Sequence, residues 1–185
     1  MGDPKKQRKK YEKPGHPWQK DRLQEELVFV GQYGLKNKKE VWKHRTAIAR
    51  LRSRARSLLG LSLEERAIQE EQLIAKSERL GLLNKGATLD NILSLTTQDM
   101  LERRLQTLVY QKQLAKTPYQ ARQLIAHRHI AIDDQIVTAP GYIVPVDKED
   151  KIGYAPRSPC DDSEHPLRMG IASSKKAETS KGGKS

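Results

Sequence analysis

The sequence predicts an α+β protein: a mostly helical N-terminal domain with a basic arm, then a small module of two helices and a short antiparallel sheet, then a disordered C-terminal tail. Three observations lead there. Apolar residues recur at helical spacing from Asp21 onward, the period shortens to strand-like alternation from His129, and the two ends hold almost nothing to bury. The organisation expected is a basic arm over residues 1–20, a helical domain over 21–100, a compact module over 101–152, and an extension with its tail over 153–185.

A formal charge of +12 and a pI near 9.8 favour a polyanionic partner, because neutralising phosphates releases condensed counterions. The charge is unevenly placed. Residues 1–60 hold 17 Lys and Arg against 6 Asp and Glu, whereas residues 61–95 are net −2 and residues 96–152 net +1. No run of about 18 apolar residues is present and no signal sequence follows the first Met, so no membrane partner is expected. The single cysteine, Cys160, excludes an intramolecular disulfide and a multi-cysteine zinc knuckle, and beside Pro159 and Asp161 it reads as a loop thiol.

The arm comes first. Lys5, Lys6, Arg8, Lys9 and Lys10, followed by Pro14, Gly15 and Pro17, carry too little apolar surface and too much like charge to fold alone. They read as a segment that orders against phosphate, and Tyr11 and Trp18 among the cations offer faces for base stacking. A helix over Asp21 to Val30 breaks near Gly31 and Gly34, and Asn37 caps a longer one that runs to about Leu59 and stops at Gly60. In that longer helix Val41, Ile48, Leu51, Ala55 and Leu58 form one apolar stripe. Arg45, Arg52 and Arg56 lie on one flank, and Lys43, Arg50 and Arg54 on the other. A solvated face ordinarily mixes signs, yet no acid follows Glu40 before Gly60, so these flanks, with Lys36, Lys38 and Lys39, are candidate phosphate contacts.

Ser62 with Glu65 is a capping-box signature for a helix from Leu63 to Leu80 that stops at Gly81. Its Glu64, Glu65, Glu70 and Glu71 should face away from a polyanion. Thr88 caps a short turn through Leu95, and Thr97 caps the next helix, whose Gln98 and Asp99 suit the positive dipole end. From Leu101 to Ala115 the apolar positions Leu101, Leu105, Leu108 and Val109 predict a single helix that leaves Arg103 and Arg104 on other faces. Thr117 and Pro118 start another, which turns Ala121, Leu124 and Ile125 inward and leaves Arg122, His127 and Arg128 available. His129 to Ile132 alternate like a strand, Asp133 and Asp134 turn it, Ile136 to Thr138 return, and Pro140 and Gly141 precede a further segment from Tyr142 to Val146. The tail from Gly170 to Ser185 reads as flexible.

The blocks LERRLQTLVY, YQARQLIAHRHIAI and PGYIVPVDKEDKI closely resemble the RNA-binding domain of the small-subunit ribosomal protein four family. MGDPKKQRKKYEKPGHPW, GQYGLKNKKEVWK and RLGLLNKGATLDNILSLTTQDMLERR resemble the archaeal branch of that family, so the likeness covers nearly all of the chain before the tail. The resemblance implies a helical domain joined to an α-L domain, two helices over a short antiparallel sheet, that grips folded small-subunit (16S-type) rRNA and nucleates assembly of the subunit body. By position, Arg104, Arg122, Gln123, His127 and Arg128 match the family's RNA-facing helix surface, and residues from Lys36 to Arg56 match its basic helical surface. The resemblance further implies contact with neighbouring ribosomal proteins, especially number five of the small subunit, an influence on decoding accuracy, and a place near the mRNA entry region. Where many relatives have Asn-Gly at the strand turn this chain has Asp133, Asp134 and Gln135, which puts a type I′ hairpin in doubt. The N-terminal cysteine cluster with which some bacterial relatives hold zinc has no counterpart here, so neither metal nor cofactor is expected.

Other readings compete with this one. Gln98 to His127 has the look of a helix-turn-helix DNA reader, but strands follow it at once. The same small module resembles appendages on pseudouridine synthases and tyrosyl-tRNA synthetases, yet no room remains here for a catalytic domain, and His127 and His129 lack a third ligand at useful spacing. A non-ribosomal RNA-binding or RNA-chaperone module is the remaining alternative. The expectation is a non-enzymatic RNA-binding protein of the small ribosomal subunit in the cytoplasm, not a homo-oligomer.

Overall fold

The computed structural model describes residues 9–162 and 164–170. Lys5, Lys6 and Arg8 of the arm, and the tail beyond Gly170, lie outside the described residues. Helices α1 (Lys20–Gln32), α2 (Lys38–Leu58) and α3 (Leu63–Arg79) are followed by the short α4 (Leu89–Ser94) and α5 (Thr97–Glu102). The module then adds α6 (Leu105–Gln111), α7 (Pro118–Ala126), β1 (Ile130–Ile132), β2 (Gln135–Ile136) and β3 (Ile152–Tyr154), with 3-10 turns at Val146–Lys148 and Pro159–Asp161.

The periodicity that makes α2 also centres the N-terminal half on it. Ile48, Ala55 and Leu58 pack with Leu73 of α3, Leu89 and Ile92 of α4, and Met100 of α5, while Val41 joins Tyr33, Leu35 and Leu101. Fully buried side chains such as Leu58 and Ile92 each stabilise by about 1.5–3 kcal/mol. The chain enters α2 through Gly34 at φ +59°, where a Cβ would come within 2.7 Å of the Pro118 Cβ and 3.0 Å of its backbone carbon. A left-handed residue with a side chain costs about 1–2 kcal/mol before that clash is counted. Gly34→Ala is therefore expected to lower stability by about 2 kcal/mol or more in urea unfolding; a loss under about 0.5 kcal/mol would show that α1 and α7 do not meet so closely.

Two local expectations fail for local reasons. The Ser62 side chain makes no capping bond; the Arg66 N–H takes the Ser62 carbonyl at 2.9 Å, and Glu65 is left exposed. The cap of α5 is Thr96 rather than Thr97, because the Asp99 carboxylate accepts the Thr96 N–H at 2.7 Å. The hairpin turn, whose type the sequence left in doubt, has positive φ at Asp133 but not at Asp134, whereas a type I′ turn needs it at both central residues.

Other expectations fail for tertiary reasons. The helix expected from Leu101 to Ala115 is broken at Arg103 and Arg104, because this stretch pairs with the segment after Pro140. The Leu105 N–H donates to the Tyr142 carbonyl at 2.8 Å, the Val144 N–H donates to Arg103 at 3.1 Å, and Arg104 bridges Ile143. The segment from Tyr142 to Val146 accordingly forms that bridge and leads into the 3-10 turn at Val146–Lys148. The third strand is β3, so the sheet runs β2-β1-β3, all antiparallel, with Ile132 opposite both Gln135 and Ile152. The boundary placed after residue 152 thus cuts through β3. The module's core, built on Leu105, Val109, Leu124, Ile125, Ile130 and Val144, extends to Cys160, and Leu167 packs against it. Cys160 is a buried core side chain rather than an ordinary loop thiol.

Candidate RNA interface

α2 carries the basic surface. Lys39, Lys43, Arg50 and Arg54 follow one flank of the helix, all exposed, and their side chains have no partner among the described residues. Lys36 precedes them and is likewise exposed. On the other flank Arg45 and Arg56 are exposed, but Arg52 is half-buried and donates to the Leu95 carbonyl, where it ties α2 to the end of α4. Lys38 turns back to Glu26 of α1 at 3.6 Å. The two flanks therefore divide: one is wholly free for a polyanion, and the other is partly used to hold neighbouring helices.

The arm departs from its expectation from Lys9 onward. Tyr11 packs on Trp42 with ring centroids 6.0 Å apart, and the Glu12 N–H donates to the Thr46 hydroxyl at 3.0 Å, so this stretch lies along the outer side of α2. Tyr11 is half-buried and is not an open stacking face. Trp18 is one, at 88% exposed, and Lys9 and Lys10 are exposed beside α2.

In the module, α7 presents Gln123 and, at its C-terminal end, His127 and Arg128, all exposed. Tyr119, 56% exposed, sits one turn before Gln123 on the same stripe; its place at i−4 marks it as a stacking face that the sequence reading missed. The Thr117 hydroxyl accepts the Gln120 N–H at the start of α7, with Pro118 at the first turn as expected.

Arg104 and Arg122, two of the arginines matched to an RNA-facing surface, behave differently, and so does Arg103. Arg104 is 1% exposed, so it cannot present its guanidinium to RNA; its Nη2 donates to Glu40 at 2.9 Å and its Nη1 to His44 Nε2 at 2.8 Å. Arg122, also expected to be available, is half-buried and holds Glu40 through both terminal nitrogens, at 2.6 and 3.2 Å. Arg103 donates to Glu149 at 2.6 Å and to the Val144 carbonyl at 3.0 Å. The residues that organise this cluster, Glu40, His44 and Gln106, were not singled out as site residues. The available signal was Glu40 itself, a lone acid at the head of a basic helix.

The charges are tuned by this packing. Burial alone would raise the Glu40 carboxyl, but the Arg122 and Arg104 guanidiniums outweigh it and hold it below its ordinary range. Burial, reinforced by the Arg104 cation, pushes His44 down to about 4. Because arginine only donates, Nε2 of His44 is the acceptor and the neutral ring keeps its proton on Nδ1. The folded state thus excludes a proton that the unfolded chain takes up as the pH falls below 6.5. Stability is full above that pH and is lost as the pH falls toward 4. Between pH 7 and pH 5 the loss from this group is on the order of 2 kcal/mol. His44→Gln should lack that increment of acid sensitivity in urea unfolding, and an acid slope equal to the parent's would show that His44 is not held neutral.

The S4 domain family matches residues 103–150, which span the break before α6 through the turn after Val146. The small ribosomal subunit protein uS4 of Ignicoccus hospitalis is 56% identical over 159 residues, covering 86% of this chain and 96% of its own. The uS4 of Saccharolobus islandicus is 58% identical over 155 residues, covering 83% and 86%. With more than half of the residues shared across most of both chains, this chain belongs to the uS4 family of small ribosomal subunit proteins.

Proposed function

We propose that this chain is a structural protein of the small ribosomal subunit that binds small-subunit rRNA directly and nucleates assembly of the subunit body, that it contributes to translational accuracy, and that its neighbours include small-subunit protein number five and the mRNA entry region. The observation that carries the RNA-binding part is the free flank of α2: Lys39, Lys43, Arg50 and Arg54 on one face with no acid among them and no internal partner among the described residues. Such a face is costly to keep in a monomer because the charges repel, and it is relieved by phosphate. The second part of the grip is α7, with Tyr119, Gln123, His127 and Arg128 exposed for stacking and hydrogen bonding. Membership of a small-subunit ribosomal protein family supplies the kind of RNA.

The test is filter binding of the full chain to small-subunit rRNA across a salt series, with duplex DNA as control. Each phosphate contact should contribute roughly 0.7–0.9 to the slope of log affinity against log salt, so four or more contacts give a slope of about −3 or steeper. A slope near zero, or equal affinity for the DNA, would sink this reading.

A further inference from the structure

The cluster around Glu40 joins the two halves of the protein. Its carboxylate sits in the first turn of α2, yet both oxygens are taken by guanidiniums of the module: Arg104 and Arg122 share Oε2 at 2.9 and 3.2 Å, and Arg122 takes Oε1 at 2.6 Å. Arg104 comes from the break before α6 and Arg122 from α7, so one carboxylate holds two separate elements. Beside it the Gln106 amide donates to the Gly34 and Tyr33 carbonyls at 2.8 and 3.2 Å, between α1 and α2, and to the Pro118 carbonyl at 2.9 Å.

Resting on the RNA-binding reading above, we propose that Glu40 is a positioning residue for RNA recognition: it holds the exposed stripe of α7 in register with the free basic flank of α2. Among the described residues it is the only carboxylate that either arginine reaches. Without it, two guanidiniums and the His44 ring lie together in a largely dry seam with no anion, and their repulsion and need for water favour parting α7 from α2. A two-part surface already set at the right spacing binds a folded RNA more tightly than the same charges on parts that move, because less freedom is lost on binding. The consequence opposes simple electrostatics. Glu40→Gln makes the chain more positive by one charge, and a pure polyelectrolyte account has it bind RNA better.

The experiment measures affinities of the parent, Glu40→Gln, Arg122→Gln and Arg122→Lys for small-subunit rRNA and for heparin, all as full chains with matched far-UV circular dichroism. Glu40→Gln is expected to lose about tenfold or more on the rRNA while holding or gaining on heparin, which has no fixed shape to match. Arg122→Lys, which keeps one donor for Glu40, should recover part of the loss caused by Arg122→Gln. If Glu40→Gln does not fold, Arg122→Gln, in which the Arg104 pair survives, carries the same comparison. Pulsed electron resonance between labels at Glu71→Cys on α3 and Thr138→Cys in the module, both exposed and in a Cys160→Ala background, reads the register directly. One narrow distance in the parent and a broadened one in Glu40→Gln are expected. An unbroadened distance overturns the positioning role whatever the RNA does, and so does rRNA affinity at or above the parent's in Glu40→Gln. A parent that does not prefer rRNA to heparin overturns instead the functional reading, with the distance measurement still deciding whether Glu40 sets the register.

Discussion

Glu40→Ala will destabilise the fold by about 3–5 kcal/mol, measured by urea unfolding, because it leaves a buried cation without its counter-ion. The magnitude follows from where the partners lie. The Arg104 side chain is 2% exposed and its cation cannot reach water without opening the seam between α2 and α6, whereas the Arg122 side chain, at 24%, can partly rehydrate. A buried ion pair adds little net stability over an apolar pair of similar volume, but breaking one side of it is expensive. The double variant Glu40→Ala with Arg104→Met should therefore be more stable than Glu40→Ala alone. If the single variant costs less than about 1 kcal/mol, or the double is no better, Arg104 is not the buried charge described here.

The second large effect is on binding. Replacing Lys39, Lys43, Arg50 and Arg54 together with Gln should weaken rRNA binding by about a thousandfold at moderate salt, taking about 1 kcal/mol for each lost contact, and flatten the salt slope by about 3. Stability should hardly change, since all four side chains are exposed and unpartnered among the described residues. Net charge alone would predict nearly as large an effect from Lys76, Arg79 and Lys85, also exposed, on and just beyond α3. Changing those three to Gln should cost less than about tenfold if α2 is the contact surface. Equal losses from the two sets would mean that the protein meets RNA as a diffuse cation rather than through this face.

The site was partly legible in the chain. The free flank of α2 was visible because helical phase is local: the apolar stripe at Val41, Ile48, Ala55 and Leu58 sets which residues must face out, and all four are buried. The same logic placed Ala121, Leu124 and Ile125 inside and left His127 and Arg128 outside, as they are, but it also left Arg122 available, and Arg122 is half-buried on Glu40. It misplaced Arg104, because the helix that carried it in sequence does not exist as one piece, and the pairing that breaks that helix comes from residues near Tyr142. The likeness to a family's RNA-facing helix surface transferred Arg104 and Arg122 by position, but position does not reveal which partner each guanidinium meets.

Sequence alone determined the α+β class, the helices of the N-terminal half, the helix at Pro118 and the strand at Ile130, and the concentration of cations before Gly60, because propensity, period, capping and composition all act over a few residues; the family came instead from the resemblance of whole sequence blocks. Tertiary structure decided which cations are free. Glu40 lies 64 residues from Arg104 and 82 from Arg122, and no local pattern encodes a pairing at that separation. It also decided that Tyr11 lies against α2, that β3 completes the sheet, and that Cys160 is core. The physical reason is the same each time: a polar or aromatic group is judged outward by its own helix or loop, and is turned inward only when a distant segment supplies the partner that makes its burial tolerable.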